Sequence, residues 1–352
     1  MNDSLRMTSA AAVSVRELQP SDLVSWDAFV MTCPSATFFH RAGWKRVIEK
    51  AFGHRCVFLL AEREGVIEGV LPLAEIKSRL FGHSLVALPF CVYGGPAAST
   101  AEAQAALDQA AQKLARQLGV EHLEYRSQHA LHPNWFHKEL YVTFRKQIEP
   151  DVEANMLAIP RKQRAMVRKA IKFGLEGVID RDVERFFTAY STSVHRLGTP
   201  VFSKRYFQLL LDEFGQDAEV LTIVQGDTLV ASVLSFYFRD EVLPYYGGGM
   251  DCARELAGND FMYWDLMRRA CERGLKVFDF GRSKLGTGAY DFKHNWGFEP
   301  TPLPYEYLLV TAKAVPDHNP LNPKYQRFIK AWQRMPIGLA NLIGPHIVKN
   351  LG

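Results

Sequence analysis

Two stretches of the chain carry the same succession of apolar and polar runs. The first, "AFGHRCVFLLAEREGVIEGVLPLAEI", begins at Ala51, and the second, "EFGQDAEVLTIVQGDTLVASVLSFYF", begins at Glu213. Each opens with the end of a helix closed by Phe-Gly. Two strand-like runs follow, joined by a tight turn at Glu64-Gly65 and at Gly226-Asp227. Next come "LPFCVYGGP" and "LPYYGGGMD", strands closed by glycines. "AEAQAALDQAAQKLARQLG" and "NDFMYWDLMRRACERG" then read as helices with a C-terminal glycine. "VEHLEYRS" and "LKVFDFGRS" close the series as strands ending in Arg-Ser. The same blocks in the same order, twice, mark a duplicated unit.

Each half therefore reads as a mixed α/β unit: helix, antiparallel strands, central helix, final strand. The expected division is a disordered segment at 1–14, a first unit at 15–150, a second at 151–314 and a helical tail at 315–352. The boundary near 150 follows from Pro150, which comes after a charged strand, and "IPRKQRAMVRKAIKFGLE" opens the second half as a helix. In the tail, "PDHNPLNPKYQ" is loop-like. "RFIKAWQRMPIGLANLIGPHIVKNLG" reads as helical pieces broken at Pro336 and Pro345. Its apolar residues can pack back on the second unit, or lie on a membrane surface or a partner.

Composition narrows the class. A chain of 352 residues, 47% hydrophobic and 23% charged, is long enough for two domains with ordinary cores. Cys33, Cys56, Cys91, Cys252 and Cys271 are scattered and form no CxxC, which points to reduced thiols in the cytoplasm rather than disulfides or zinc. No signal-peptide h-region opens the sequence, and no run of ~18 apolar residues occurs. A net charge of +4 matters only where it is concentrated.

The stretch "FDFGRSKLGTGAYDFKHNWGFEP" holds the densest candidate chemistry. It lacks the P-loop pattern. It also lacks the third glycine of a dinucleotide fingerprint, and no helix obviously follows "GTG". What remains is a strand end at Asp279, a glycine-rich loop, and Tyr290, Phe292, Lys293 and His294 in one patch. Strand ends of open α/β sheets are where ligands sit. A fixed cation at Lys293 can bind a phosphate or stabilise an oxyanion. Alternatively, Tyr290, Phe292 and Trp296 are hydrophobic anchors and Lys293 a solvated charge. Asp279, between Phe278 and Phe280, can accept a proton from an attacking amine. It can equally pair with Arg282, or with Arg126 in the first half. Its first-half counterpart is Glu124.

Other clusters are basic. Arg161, Arg164, Arg168 and Lys172 fall at steps of three or four on one helical face, beside Lys162 and Lys169. Such a stripe suits a diphosphate, an RNA backbone or an anionic membrane surface, or is a solvated face. His195, Arg196, Lys204, Arg205 and Tyr206 bracket a Gly-Thr-Pro turn, either as phosphate or carboxylate ligands or as an ordinary surface loop. Asn259 or Asp260 is a suitable N-cap, and the helix start beside Asn259 can hold an anion. His129, His132 and His137 lack HExxH-type spacing, so no metal site is expected.

Taken together, the duplicated unit, "FFHRAGWKRVIEKAFG", "FCVYGGP", "RKQRAMVRKAIKFGLE", "RLGTPVFSKRYF" and "FDFGRSKLGTGAYDFKHNWGF" resemble the FemAB-type transferases of the GNAT acyltransferase superfamily, from about Val15 to Val310. The branch most resembled is the one associated with exosortase/PEP-CTERM sorting and exopolysaccharide. The resemblance implies tandem GNAT-like domains and transfer of an acyl or aminoacyl group to an amine. The amine would belong to a cell-envelope, peptidoglycan or exopolysaccharide precursor. It also implies a Tyr-x-Phe-Lys element at Tyr290, Phe292 and Lys293, and acceptor contacts at Arg205 and Tyr206. The Fem-type lysine of the first-domain helix has no match, Lys45 being offset. The long helical arm and the GNAT pyrophosphate signature are both missing.

The expectation is then a cytoplasmic N-acyl- or aminoacyltransferase, peripheral at most to the inner membrane face. Its catalytic residues would be Lys293, Tyr290, Phe292 and Asp279. Substrate contacts would come from Arg205, Tyr206, Arg196, Arg161, Arg164, Arg168 and Asn259. No tightly bound cofactor is expected; acyl-CoA or aminoacyl-tRNA would be the donor, and a small-molecule or lipid-linked precursor the acceptor. The alternatives are a non-catalytic GNAT-like module in envelope assembly, and an RNA-binding protein.

Overall fold

In the computed structural model, residues 11–78, 81–315 and 323–351 are described. The expected disordered segment 1–14 falls mainly on 1–10, outside the described residues, as does most of the expected loop at Pro316–Asn322. The first half runs β1 (Ser14–Glu17), α1 (Leu23–Thr32), α2 (Gly43–Phe52), β2 (Arg55–Arg63), β3 (Val66–Ser78), β4 (Gly82–Val86), β5 (Ala97–Ala98), α3 (Ala101–Leu118), β6 (His122–Tyr125) and β7 (Phe136–Gln147). The second runs α4 (Val152–Ala158), α5 (Arg161–Lys172), β8 (Glu176–Asp180), α6 (Glu184–Arg196), α7 (Lys204–Phe214), β9 (Ala218–Gln225), β10 (Thr228–Phe238), β11 (Glu241–Gly249), α8 (Gly258–Glu272), β12 (Val277–Lys284), α9 (Gly288–Asn295) and β13 (Pro300–Leu309). The tail forms α10 (Pro323–Arg334) and α11 (Ile337–Val348). This is the mixed α/β class expected from the repeated pattern.

The thirteen strands of the described residues join one sheet, in the order β1-β2-β3-β4-β6-β13-β7-β12-β11-β10-β9-β8, with β5 beside β3. The pairings repeat: β4 with β6 and β11 with β12 are parallel, and every other pair is antiparallel. At the centre the halves exchange their last strands. β13 of the second half pairs with β6 of the first, β7 of the first pairs with β12 of the second, and β7 and β13 pair with each other.

Helices cover both faces, so the inner strands are apolar on both sides. Phe58 and Leu60 of β2 face α1 and α2, whereas Val57 and Leu59 face α3. In β10, Leu234 and Phe236 join the former core and Val233 a third one under α4, α5 and α8. Phe38 and Trp44 from the first half meet Phe214 and Phe236 from the second in that shared core, with Phe38 stacked on Phe236 at 4.4 Å. Three sequence expectations change at the element level. "LPFCVYGGP", at 88–96, is irregular and not a strand, with Leu88 at φ 59° and Phe90 at φ 66°, and the strand of that block is β4 just before it. A helix does follow "GTG": α9 is capped by Thr287, whose hydroxyl accepts from the Tyr290 N–H. It is only eight residues long, too short to show a clear period. Pro345 lies inside the last turn of α11 instead of breaking it, where a single lost backbone bond is tolerable.

Candidate active site

β11 and β12 run parallel in register only at Glu241–Val277 and Val242–Phe278. Beyond that point they diverge. The gap between Pro244–Gly247 of β11 and Phe280–Arg282 of β12 is a cavity of about 430 Å³. Its walls are Tyr245, Tyr246, Tyr263, Phe280, Arg282 and Lys293, closed further by Phe90 and Val92 from the first half and by Val348 and Leu351 from the tail. Gly248, at the end of β11, is pressed against α6. A Cβ there would fall 2.6 Å from the Ala189 carbonyl oxygen and 2.7 Å from Tyr190 Cα, so only glycine lets strand and helix meet.

α9 supplies the lysine. Ala289 and Lys293, four residues apart, line the cavity on one side of the helix. Phe292 turns to Tyr263 and Trp296, and Tyr290 sits edge-on to Phe144. Tyr290 and Phe292 are therefore hydrophobic anchors that do not line the cavity, whereas Lys293 is half-buried and not a solvated surface charge. Its ammonium donates to the carbonyls of Phe280 at 2.7 Å, Gly281 at 3.1 Å and Arg282 at 3.0 Å. Three acceptors match its three N–H bonds. Burial pushes the Lys293 ammonium down to about 7, with Asp279 opposing the shift. The three carbonyls also oppose it, since they solvate only the charged form. The carbonyls converge because β12 bulges between Asp279 and Gly281, where Gly281 takes a φ of 65°.

Asp279 faces away from the cavity. Burial raises its carboxyl above the usual range, against the pull of Arg145. Its oxygens take the Tyr93 hydroxyl at 3.0 Å, the Gly281 N–H at 2.7 Å and Arg145 at 3.3 Å. The partner is thus Arg145, not Arg126 or Arg282, and Asp279 is not among the residues that line the cavity. Glu124 pairs with Arg126 at 2.7 Å.

Arg282 is the group that sequence reasoning left as a mere pairing candidate. Among the described residues no carboxylate lies within ion-pair distance of it. Its guanidinium donates to the Tyr305 hydroxyl at 2.8 Å and stacks over Tyr141 at 4.5 Å. Arg282 and Arg126 together line both this cavity and a smaller one, about 130 Å³, on the first-half side. The repeated Arg-Ser strand ends were the available signal: the two arginines occupy matching places in the halves and meet at Tyr305.

The remaining expected contacts lie elsewhere. Tyr206 is fully buried behind the wall, sharing a 2.9 Å hydroxyl–hydroxyl bond with Tyr246. Arg205 is exposed on α7, and Arg196 pairs with Asp251 at 2.7 Å. Neither Asn259 nor Asp260 is the N-cap of α8. That position is Ala257, at φ 55°, and Asp260 instead accepts from the Trp296 indole at 3.0 Å. Asn259 packs against Gly249, where a Cβ would stand 2.8 Å from its amide oxygen. Arg161, Arg164, Arg168 and Lys172 line a separate surface concavity of about 480 Å³ on α5 and share no wall with the cavity.

Residues 161–294 match a family model described as an acetyltransferase (GNAT) domain. No curated protein matches the chain. Among solved structures, the fold is similar to that of FemX, at 15% identity and a TM-score of 0.65, covering 84% of this chain and 98% of that one. It is also similar to the C-terminal (DUF2156) domain of a putative lysylphosphatidylglycerol synthetase from Agrobacterium fabrum, at 12% identity and a TM-score of 0.54, covering 82% and 91%. A third likeness is to a tandem GNAT protein from the clavulanic acid biosynthesis pathway, at 12% identity and a TM-score of 0.52, covering 87% and 100%. At these identities the likeness is one of fold. Residues 161–294 thus match a GNAT domain model, and the chain has a fold similar to that of FemX and of a tandem GNAT protein.

Proposed function

We propose that the protein transfers an acyl or aminoacyl group to an amine in the cavity between β11 and β12. The supporting observation is Lys293: a half-buried ammonium, brought near neutral pKa, on the wall of a cleft that also holds Arg282, which pairs with no carboxylate among the described residues. The amine attacks the carbonyl of an ester or thioester donor. A C–N bond forms, the C–O or C–S bond breaks, and the amine's proton leaves with solvent or with the departing group. The positive charge of Lys293 stabilises the oxygen that becomes negative, or the leaving group. Tyr290 and Phe292 fix the helix that carries it. Asp279 holds the Gly281 bulge through the backbone and so positions the three carbonyls. Arg282 anchors an anionic group of one substrate.

The donor reading is acyl-CoA or aminoacyl-tRNA, with phosphates on Arg161, Arg164, Arg168 and Lys172. The acceptor reading is an amine on an envelope, peptidoglycan or exopolysaccharide precursor, handled in the cytoplasm by a chain divided near residue 150 into two GNAT-like units. Arg205, Arg196 and Asn259 would serve the outer part of the acceptor, and Tyr206 would brace Tyr246. Free thiols agree with that compartment. The exosortase/PEP-CTERM association rests on sequence resemblance alone.

Mass spectrometry of purified protein, after incubation with acyl-CoA or charged-tRNA donors and aminosugar or peptide acceptors, tests the reading. An acceptor heavier by one acyl group supports it. Lys293→Ala is expected to lower turnover by about 10²–10³-fold; turnover within twofold of wild type removes Lys293 from the chemistry. One observation favours the alternative of a non-catalytic binding module. All three N–H bonds of Lys293 are already spent on β12, as a purely structural strut would require. Ligand retention without turnover by any donor would establish that alternative.

A further inference from the structure

Between residues 323 and 351 the chain has Lys324, Arg327, Lys330, Arg334 and Lys349, and no Asp or Glu. α10 and α11 both pack on α6. In α11, Ala340, Gly344 and Val348 are buried, Gly344 against Val201, where a Cβ would lie 2.9 Å from the backbone nitrogen. Leu339, Leu342 and His346 fall on the opposite face, at steps of three and four, with Leu342 68% and Leu339 44% exposed. In α10 Trp332 is buried, and Arg327, Lys330 and Arg334 share the outward stripe. The inner side is pinned to both halves. His195 bonds the Met335 carbonyl at 2.9 Å, and His54 bonds the Lys349 carbonyl at 2.6 Å.

We propose that the outward faces of α10 and α11 dock the protein on an anionic lipid bilayer. Outward leucines on α11 and an acid-free row of cations on α10, both helices being packed on α6, fit the interface of such a bilayer, where apolar area and charge both contribute. Nucleic acid would use the cations but gains nothing from Leu339 and Leu342. No helix among the described residues is long and apolar enough to cross a membrane, so the contact is peripheral. The same tail ends inside the candidate site: Val348 and Leu351 line the larger cavity, and Asn350 and Leu351 the smaller. Docking therefore holds the cleft one helix away from the lipid surface, on the inner side of α11, and suits a lipid-linked acceptor under the acyl-transfer reading. That last consequence rests on the reading; the docking does not.

The test is co-flotation of the full chain with vesicles of phosphatidylcholine alone or with phosphatidylglycerol. The wild type is expected to float with the anionic vesicles and to be released by salt. Arg327→Glu/Lys330→Glu/Arg334→Glu is expected to lower the partition by on the order of a hundredfold, and Leu339→Glu/Leu342→Glu to abolish flotation. All five positions are exposed, and unchanged melting curves confirm that the variants fold. Lys293→Ala should float like wild type, so loss of turnover and loss of docking are separable. Equal partition of the wild type into neutral and anionic vesicles overturns the proposal. So does flotation that survives Leu339→Glu/Leu342→Glu, or retention of RNA by the wild type with no vesicle binding.

Discussion

Lys293 is pulled in two directions, and pH separates them. Burial favours the neutral amine; three carbonyls and Asp279 favour the ammonium. If the charge is the active form, the rate is highest below pH 7 and falls as pH rises through about 7. Lys293→Arg, which stays charged, should flatten that fall in a pH–rate profile even if its absolute rate is lower. His132 behaves oppositely. Burial pulls its imidazolium down, but Asp108 at 2.7 Å and the buried Glu306 outweigh this and raise it to about 9. With an unfolded value near 6.5, its stabilising contribution is complete below pH 6.5 and lost as pH rises through about 9. The melting temperature of the wild type should therefore drop across that window more steeply than that of His132→Gln. Lys293 was legible because it falls in one patch with Tyr290, Phe292 and His294, behind a glycine-rich loop at a strand end. Arg282 was not, because its partners, Tyr141 of β7 and Tyr305 of β13, come from distant strands, and no carboxylate among the described residues pairs with it.

The β12 bulge is the element that turns a strand into a lysine clamp. Gly281 takes a left-handed φ of 65°, and a Cβ there would meet no atom within 4 Å. Gly281→Ala therefore adds backbone strain without a clash, about 1–2 kcal/mol, readable as a lower denaturation midpoint. If the clamp positions Lys293, turnover should fall by more than that stability loss accounts for, since the carbonyls of Phe280, Gly281 and Arg282 shift together. Wild-type turnover in a destabilised Gly281→Ala would show the clamp to be dispensable. β2, β3, β9, β10, β11 and the closing strands β6 and β12 were visible as alternating or continuous apolar runs, whereas β1, β4, β5 and β8 were not. β13 was not, because "PTPLPYEYLL" carries prolines at alternate early positions that read as loop. Its prolines Pro300 and Pro302 are nevertheless opposite Phe144 and Val142 of β7.

At the scale of the molecule, the repeated order of blocks announced two related halves, but nothing local in a strand says whose neighbour it will be. The pairing of β13 with β6 and of β7 with β12 makes each half supply the strand that completes the other. The shared aromatic core of Phe38, Trp44, Phe214 and Phe236 adds a second seam. A cut at residue 150 would leave β12 and β13 without β7, exposing two paired edges at once. The intact chain is therefore expected to unfold in one calorimetric transition with matching van't Hoff and calorimetric enthalpies. A 151–352 fragment should aggregate alone and be recovered in soluble form only when 1–150 is co-expressed. Two separated transitions, or a monomeric and folded 151–352 fragment, would mean that the exchanged strands contribute little and that the halves are independent domains held side by side.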